Sequence, residues 1–249
     1  MNPDKQVLIL SGTGEAFALA TLLFADGNYR VINSLAGRTK APVEPPGEIH
    51  MGGFGGAEGL AKYLRSEVIS AVIDATHPFA VQISRNAFQA CNAAQVPYLQ
   101  LHRPAWEKAE GDTWLPVANL DAAAELIARS NFRRIFLTTG RQEVKPFAEL
   151  EDRWFLLRSV DPISDLPLKN FDTVLGRGPF YEQAETQLLN EHRIDSIVTK
   201  NSGGPATYGK IAAARKLGLP VIVIQRPAAL DCNHVGRPAD AVKWLKQLI

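Results

Sequence analysis

A short apolar run that ends in a glycine turn constrains the fold of this chain more than any other feature. Residues 7–10 read Val-Leu-Ile-Leu, a buried-strand pattern, and Gly12, Thr13, Gly14 and Glu15 follow after Ser11. Glycine permits a tight turn and lets a ligand approach the backbone. A helix that starts here directs free N–H groups and a positive dipole end at the turn, which suits a phosphate. We predict that these four residues bind a dinucleotide. Phe17 replaces the third glycine of the dinucleotide-binding pattern Gly-x-Gly-x-x-Gly, and an ordinary α/β strand-to-helix turn is the alternative interpretation.

The residues after the second predicted strand, 29–34, favour NADP(H) over NAD(H). An acidic residue that would hold the ribose hydroxyls is absent from the end of this strand. Arg38 and Thr39 follow it instead, and a guanidinium group binds phosphate bidentately. We therefore predict that Arg38 and Thr39 contact the 2′-phosphate of NADP(H). A solvated loop arginine is the alternative interpretation of Arg38.

Length, charge and cysteine content narrow the class of protein. The 249 residues suffice for one large α/β domain or two small ones. The 27 basic and 26 acidic residues give a net charge of +1, which provides no argument for nucleic-acid or membrane binding. Two distant cysteines and scattered histidines predict neither a disulfide framework nor a metal site. Without a signal peptide or an apolar stretch of ~20 residues, we expect a cytoplasmic monomer or small homo-oligomer.

Predicted strands alternate with predicted helices along the whole chain, with one interruption between residues 103 and 115. This pattern predicts an α/β fold of two Rossmann-like parallel-sheet units, 1–104 and 105–249, with a cleft between them. Ligands of such sheets bind where strands end. In the first unit we expect Gly53 and Gly55 of a glycine-rich loop, and Thr76, to contact the cofactor. Thr76 or His77 is also placed to cap a helix that begins at Pro78.

Three predicted strand ends in the second half share a cation, hydroxyls or free backbone N–H groups beside glycine. They are residues 138–141, 176–180 and 199–204. If they meet, they form a basic pocket with many donors, suited to a polycarboxylate or a phosphate. Capping of helices by the same residues is the alternative. The predicted substrate-binding residues are Thr139, Arg141, Arg177, Lys200, Asn201, Ser202 and Gly203.

The chain resembles the precorrin-6A reductase family in seven segments that together span about residues 7–226. The segments are 12–16, 34–39, 52–56, 74–80, 103–106, 138–141 and 199–204. Asp-Ala-Thr-His-Pro-Phe-Ala at 74–80 and Thr-Lys-Asn-Ser-Gly-Gly at 199–204 are the most specific of them. Ser11 departs from the family, which often has glycine there, but Gly12 and Gly14 are retained.

The resemblance implies an NADPH-dependent reductase of cobalamin biosynthesis. A hydride from NADPH would reduce a C=C bond of the tetrapyrrole precorrin-6A, and a proton added beside it would give precorrin-6B. The first unit would then hold NADPH, and the second would hold the tetrapyrrole with its acetate and propionate groups. His77 and Lys200 are the candidates for donating the proton or polarising the ring, since histidine titrates near neutral pH.

Three other functions stay open from the sequence. One is the same reduction of the cobalt-containing substrate, cobalt-precorrin-6A, in the oxygen-independent pathway. A second is a nucleotide-sugar-type α/β transferase, which a sugar nucleotide would stabilise and NADPH would not. The third is a non-catalytic NADP sensor, which would turn over no tetrapyrrole. No tyrosine is followed by a lysine four residues later, which argues against a short-chain dehydrogenase.

Overall fold

The computed structural model describes residues 5–35, 44–163 and 165–248. Its first part contains the predicted alternation of strands and helices, with one further strand, Glu48–Met51, that the sequence did not predict. The elements are β1 (Gln6–Leu10), α1 (Gly14–Asp26), β2 (Arg30–Leu35), β3 (Glu48–Met51), α2 (Gly56–Ser66), β4 (Ala71–Asp74), α3 (Val81–Ala94) and β5 (Tyr98–Leu101). None of the helices in the described ranges is long and apolar enough to cross a membrane.

A second series of elements begins after residue 112. Its members are β6 (Thr113–Val117), α4 (Leu120–Arg129), β7 (Arg134–Leu137), β8 (Trp154–Ser159), β9 (Phe171–Leu175), α5 (Glu182–Glu191), β10 (Ser196–Lys200), α6 (Gly209–Leu217) and β11 (Pro220–Ile224). Two short 3₁₀ turns, Arg141–Glu143 and Lys145–Phe147, follow β7. The chain ends with the two-residue strand β12 (His234–Val235) and helix α7 (Pro238–Leu248).

The strands form two six-stranded sheets whose paired strands are all parallel. The first has the order β12-β5-β4-β1-β2-β3 and the second the order β6-β11-β10-β7-β8-β9. The central strands are apolar along their length because both faces of a parallel sheet are covered. In β1, Val7 and Ile9 pack in a core with residues of α1 and α7, whereas Leu8 and Leu10 pack with residues of α2 and α3. The predicted fold class of two parallel-sheet units is thereby confirmed.

Each sheet has one place where the strand order reverses. In the first sheet, β2 and β3 extend from β1 on one side, and β4, β5 and β12 extend on the other. In the second, β8 and β9 extend from β7 on one side, and β10, β11 and β6 on the other. Ligands of open α/β sheets bind at the carboxyl ends of the strands beside such a switch point. The expected sites are therefore the β1/β4 end of the first sheet and the β7/β10 end of the second.

The two compact units are Met1–Pro104 with Pro227–Ile249, and Ala105–Arg226. The prediction that 105–249 forms one domain is wrong for its last 23 residues, 227–249. They belong to the first unit because β12 pairs with β5 and α7 packs on α1. Ala241 and Leu245 of α7 are fully buried in the same core as Leu19 and Leu23 of α1.

Helix α3 begins at Val81, so the predicted start at Pro78 is wrong. Ala80 stands at its N-cap position and makes no side-chain cap bond. Thr76 does not cap the helix because its backbone N–H and its hydroxyl both donate to the buried carboxylate of Asp74. Residues 75–80 therefore form a loop at the carboxyl end of β4.

Candidate functional site

The glycine turn after β1 lies at the switch point of the first sheet. Gly12 has a φ of +126°, a backbone conformation that favours glycine. Thr13 is the N-cap of α1, and its Oγ1 accepts a hydrogen bond from Ala16 N at 3.1 Å. The same hydroxyl donates to Ala75 O at 2.7 Å, which ties the end of β1 to the end of β4. An added Cβ at Gly12 or Gly14 would meet nothing within 4 Å, so a ligand can approach this backbone closely.

Glu15 lies in the first turn of α1, where a carboxylate would oppose a bound phosphate unless it were neutralised. Its Oε2 is 2.5 Å from Nη1 of Arg103, which follows β5, and the two side chains are 21% and 16% exposed. The ion pair removes the repulsion near the helix N-terminus. Arg103, which the sequence placed only in a segment of resemblance, therefore supports the glycine turn.

A cavity of about 170 Å³ lies beside this turn. Ser11, Ser34, Thr76 and Asn86 contribute polar groups to its lining, and the loop 52–56 contributes glycine backbone, including Gly53 and Gly55. Small-molecule pockets typically enclose about 300–1,000 Å³, so this cavity would hold part of a dinucleotide. Arg38 and Thr39, the predicted 2′-phosphate contacts, lie outside the described residues.

Asp74 closes β4 and is fully buried, a site residue that the sequence analysis did not select. Its Oδ1 accepts hydrogen bonds from Thr76 N at 3.0 Å and Thr76 Oγ1 at 2.6 Å, and its Oδ2 accepts one from Tyr98 OH at 2.8 Å. Burial, followed by the charge of Asp74, raises the pKa of Tyr98 far above its ordinary value, so the phenol stays a donor. An aspartate that closes an otherwise apolar strand is the signal that could have identified it.

His77 and Cys91 differ in what they can do chemically. His77 lies in the 75–80 loop, and its Nδ1 accepts a hydrogen bond from Phe79 N at 3.3 Å. In the neutral ring that bond leaves the proton on Nε2, which suits a donor. Cys91 is 1% exposed and belongs to a hydrophobic core. Burial, and then the charge of Asp74, raises the pKa of the Cys91 thiol to about 12, so it is not a nucleophile at neutral pH.

In the second unit, the segment that starts at Lys200 contacts the turn after β7 and the loop after β9. Lys200 Nζ is 2.5 Å from Oε1 of Glu143, on the turn that Arg141 begins after β7. Phe180 N donates to Ala206 O at 2.9 Å, which joins the loop containing Arg177 to the segment after β10. The segment 200–206 therefore contacts the turn after β7 through Glu143 and the loop after β9 through Phe180.

The predicted contacts in 201–203 serve mainly to fix the loop. Asn201 Oδ1 accepts from Trp106 N at 2.8 Å, and its Nδ2 donates to Trp106 O at 3.0 Å. These two bonds fix the orientation of the Asn201 amide against the backbone of Trp106. Ser202 Oγ donates to Lys200 O at 3.4 Å, and Gly203 has a φ of +71°. The unpredicted Arg226 donates to the carbonyls of residues 201 and 202, both at 2.9 Å.

Comparison with known proteins identifies the family. The family model "Precorrin-6x reductase CbiJ/CobK" matches residues 6–246. A precorrin-6A reductase of Rhodococcus erythropolis is 46% identical, over 98% of each chain, and one of a Sinorhizobium species is 44% identical, over 96% of this chain and 94% of the relative. The solved structure of "CobK precorrin-6A reductase" superposes with a TM-score of 0.91 at 42% identity, over 98% of this chain and 96% of that one. The chain belongs to the precorrin-6x reductase family.

Proposed function

We propose that the first unit of the chain holds NADPH and the second unit holds precorrin-6A, with the side chains assigned as follows. Membership of the family makes the chain an oxidoreductase with precorrin-6A reductase activity. The relatives at 44% and 46% identity carry the name of the metal-free substrate, which favours it over the cobalt-containing one. A cytoplasmic location stays a prediction from composition, as does the oligomeric state.

The glycine turn at the β1/β4 switch point is the observation that supports the cofactor assignment. Backbone N–H groups at the start of α1 face an open approach at Gly12 and Gly14. Such a helix terminus binds a pyrophosphate. Thr13 holds the turn against the end of β4, and Thr76 lines the adjoining cavity. A bound nicotinamide cofactor supplies the hydride, and these residues orient it.

The cations of the second unit support a tetrapyrrole that carries several carboxylates. Arg141 and Arg177 lie on loops that follow β7 and β9, and guanidinium groups bind carboxylates bidentately. Thr139 adds a buried hydroxyl at the end of β7. The proton that accompanies the hydride would come from His77 or Lys200. No side chain has to act as a nucleophile.

Thermal unfolding with NADPH and with NADH tests the cofactor assignment. We expect NADPH at a hundredfold excess over its dissociation constant to stabilise the protein by about 2.7 kcal/mol and NADH to stabilise it less. Arg38→Ala should weaken NADPH binding about 10- to 100-fold, because charge-assisted hydrogen bonds contribute about 1.5–3 kcal/mol, and should leave NADH binding unchanged. Arg85→Ala, an exposed arginine of α3, is the matched control.

Turnover is measured as the loss of NADPH absorbance with precorrin-6A present. Equal stabilisation by both nucleotides would refute the role of Arg38. Stabilisation by a sugar nucleotide but not by NADPH would favour the transferase. Binding of NADPH without turnover of any tetrapyrrole would favour the sensor.

Substitutions of Gly53 test whether the cavity is part of the cofactor site. A Cβ at Gly53 would meet nothing within 4 Å, and its φ lies outside the left-handed region, so Gly53→Ala and Gly53→Leu should leave the melting temperature of the free protein unchanged. The added groups would project where the ligand approaches. We expect a graded loss of NADPH stabilisation, larger for leucine than for alanine. Full stabilisation in both variants would place the cofactor elsewhere.

A further inference from the structure

We propose that Glu143 is a positioning residue that holds the Lys200 ammonium as the proton donor, and that Lys200 does not anchor a substrate carboxylate. The inference rests on the proposed function, because it concerns the proton that the reduction consumes. It also distinguishes the two roles that the sequence predicts for Lys200, proton donation and substrate binding.

The charge of Lys200 is already compensated by the protein. Its Nζ is 2.5 Å from Glu143 Oε1, and the side chains are only 15% and 31% exposed. A substrate carboxylate would have to compete with a fixed carboxylate for the same ammonium. Arg141, on the same turn as Glu143, and Arg177, on the loop after β9, are better suited to carboxylates, because a guanidinium offers a planar fork of donors. The ion pair therefore favours a role in proton delivery for Lys200.

The pair lies at the switch point of the second sheet. Val198 of β10 is in register with Leu137 of β7, and continuing this register places Lys200 beside Thr139. Side chains alternate between faces along a strand, so Lys200 and Thr139 point to the same side of the sheet. Glu143 reaches this side from the turn after β7. The ion pair and the Thr139 hydroxyl thus lie on one side of the sheet, at the end where ligands of such sheets bind.

Two oxygen atoms on this side of the sheet have unsatisfied hydrogen-bonding capacity. Glu143 Oε2 and Thr139 Oγ1 are buried, and neither has a hydrogen-bond partner among the described residues. An unsatisfied buried oxygen is costly, so a ligand that supplies a donor would be favoured here. A free carboxylate oxygen accepts hydrogen bonds and repels a second carboxylate. The ion pair and the Thr139 hydroxyl therefore suit a ring N–H or a carbon being protonated, and not an acetate or propionate group.

Several hydrogen bonds fix the backbone at and after Lys200. Its carbonyl accepts hydrogen bonds from Ser202 N at 2.7 Å and Thr199 Oγ1 at 3.2 Å. Arg226 fixes the next two carbonyls, as described above. A fixed backbone and a fixed ammonium together satisfy the geometric demand of proton transfer.

The reduction adds a hydride and a proton across one double bond of the substrate. The proton comes from Lys200: its Nζ–H bond breaks as the new bond to the substrate forms. The neutral amine then takes a proton from water, and the ionised carboxylate of Glu143 stabilises the restored ammonium. No further oxidant or reductant is needed.

The test compares Glu143→Gln, Lys200→Ala and the double variant in steady-state turnover of precorrin-6A. We expect kcat to fall about 10- to 100-fold in Glu143→Gln and about 10²- to 10⁴-fold in Lys200→Ala, with KM for precorrin-6A within about twofold. The double variant should be no slower than Lys200→Ala, because the two residues act as a unit. The solvent deuterium isotope effect on kcat should increase in Glu143→Gln. Glu149→Gln, an exposed glutamate nearby, is the matched control.

If Lys200 instead binds a substrate carboxylate, the substitutions should change KM and not kcat. Lys200→Ala would then raise KM with kcat retained, and Glu143→Gln would lower KM by releasing the cation; either result overturns the proposal. A lower kcat in His77→Ala, with kcat retained in Lys200→Ala, would overturn it too. If Glu143→Gln does not fold, Glu143→Asp serves in its place, because it keeps the charge but is one methylene too short to hold the ammonium in position. A normal isotope effect and a normal kcat in Glu143→Asp would also overturn the proposal. A wild-type protein that binds both ligands without turnover would refute the proposed function as well.

Discussion

Replacing Glu185 with alanine is expected to lower the unfolding free energy of the second unit by about 3–5 kcal/mol. Glu185 of α5 is 3% exposed, and both of its carboxylate oxygens accept from Arg158 of β8, at 2.9 and 2.6 Å. The guanidinium carbon lies 3.9 Å from the ring centre of Phe180 and 4.8 Å from that of Phe136. Alanine would leave a buried cation against two aromatic rings with no compensating charge.

Urea denaturation of matched variants measures this loss. Glu182→Ala removes a glutamate from the start of the same helix, where its ion pair with Lys216 is exposed, and should change the stability by less than about 1 kcal/mol. The double variant Arg158→Leu, Glu185→Leu should recover most of the loss, since an apolar pair needs no charge compensation. Equal effects of Glu185→Ala and Glu182→Ala would show that the buried pair contributes nothing.

The same variant has a consequence for the site. Phe180 rests on the Arg158 guanidinium at the end of the loop that carries Arg177. Loss of the ion pair frees the guanidinium to move and loosens the support of that loop. Arg158 and Glu185 therefore support the loop that carries Arg177, although neither stands out in the sequence.

Some features that depend on local backbone could be predicted from the sequence, but the start of α3 could not, because the Thr76 hydroxyl binds Asp74 and does not cap the helix. The turn at Gly12 and the helix that starts after it follow from residue types within a few positions, because glycine has specific conformational preferences. The alternation of apolar runs with helical periodicity was equally informative about the two parallel sheets. In both cases the physical cause lies within one segment of chain.

Features that depend on pairing between distant segments could not be predicted. Glu143 is 57 residues from Lys200, and the two meet only because β7 lies beside β10. The two-residue strand β12 is too short to show alternation, so nothing local indicated that 227–249 returns to the first unit. The position of Asp74 at the end of an apolar strand is visible in the sequence, but its hydrogen bond with Tyr98, 24 residues away, depends on the pairing of β4 with β5.

Replacing Asp74 with alanine is expected to destabilise the first unit by about 3–5 kcal/mol, because it removes a buried acceptor of three hydrogen bonds. The Thr76 N–H, the Thr76 hydroxyl and the Tyr98 hydroxyl all donate to this carboxylate. Tyr98 remains protonated because its pKa is raised, so its hydroxyl would be left without its close acceptor. Tyr98→Phe removes one of the three bonds and should lower the stability by only about 1.5–3 kcal/mol.

Stabilisation by NADPH should distinguish Asp74→Ala from Tyr98→Phe more clearly than the free energy of unfolding does. Thr76 lines the cavity beside the glycine turn, and Asp74 sets its position, so Asp74→Ala should also abolish the thermal stabilisation by NADPH. Tyr98→Phe should retain that stabilisation, since Asp74 still binds Thr76. Asp231→Ala, an exposed aspartate of the same unit, is the matched control and should alter neither property. Undiminished NADPH stabilisation of a folded Asp74→Ala protein would show that the cofactor does not depend on the end of β4, because that strand end is held in place by the buried carboxylate.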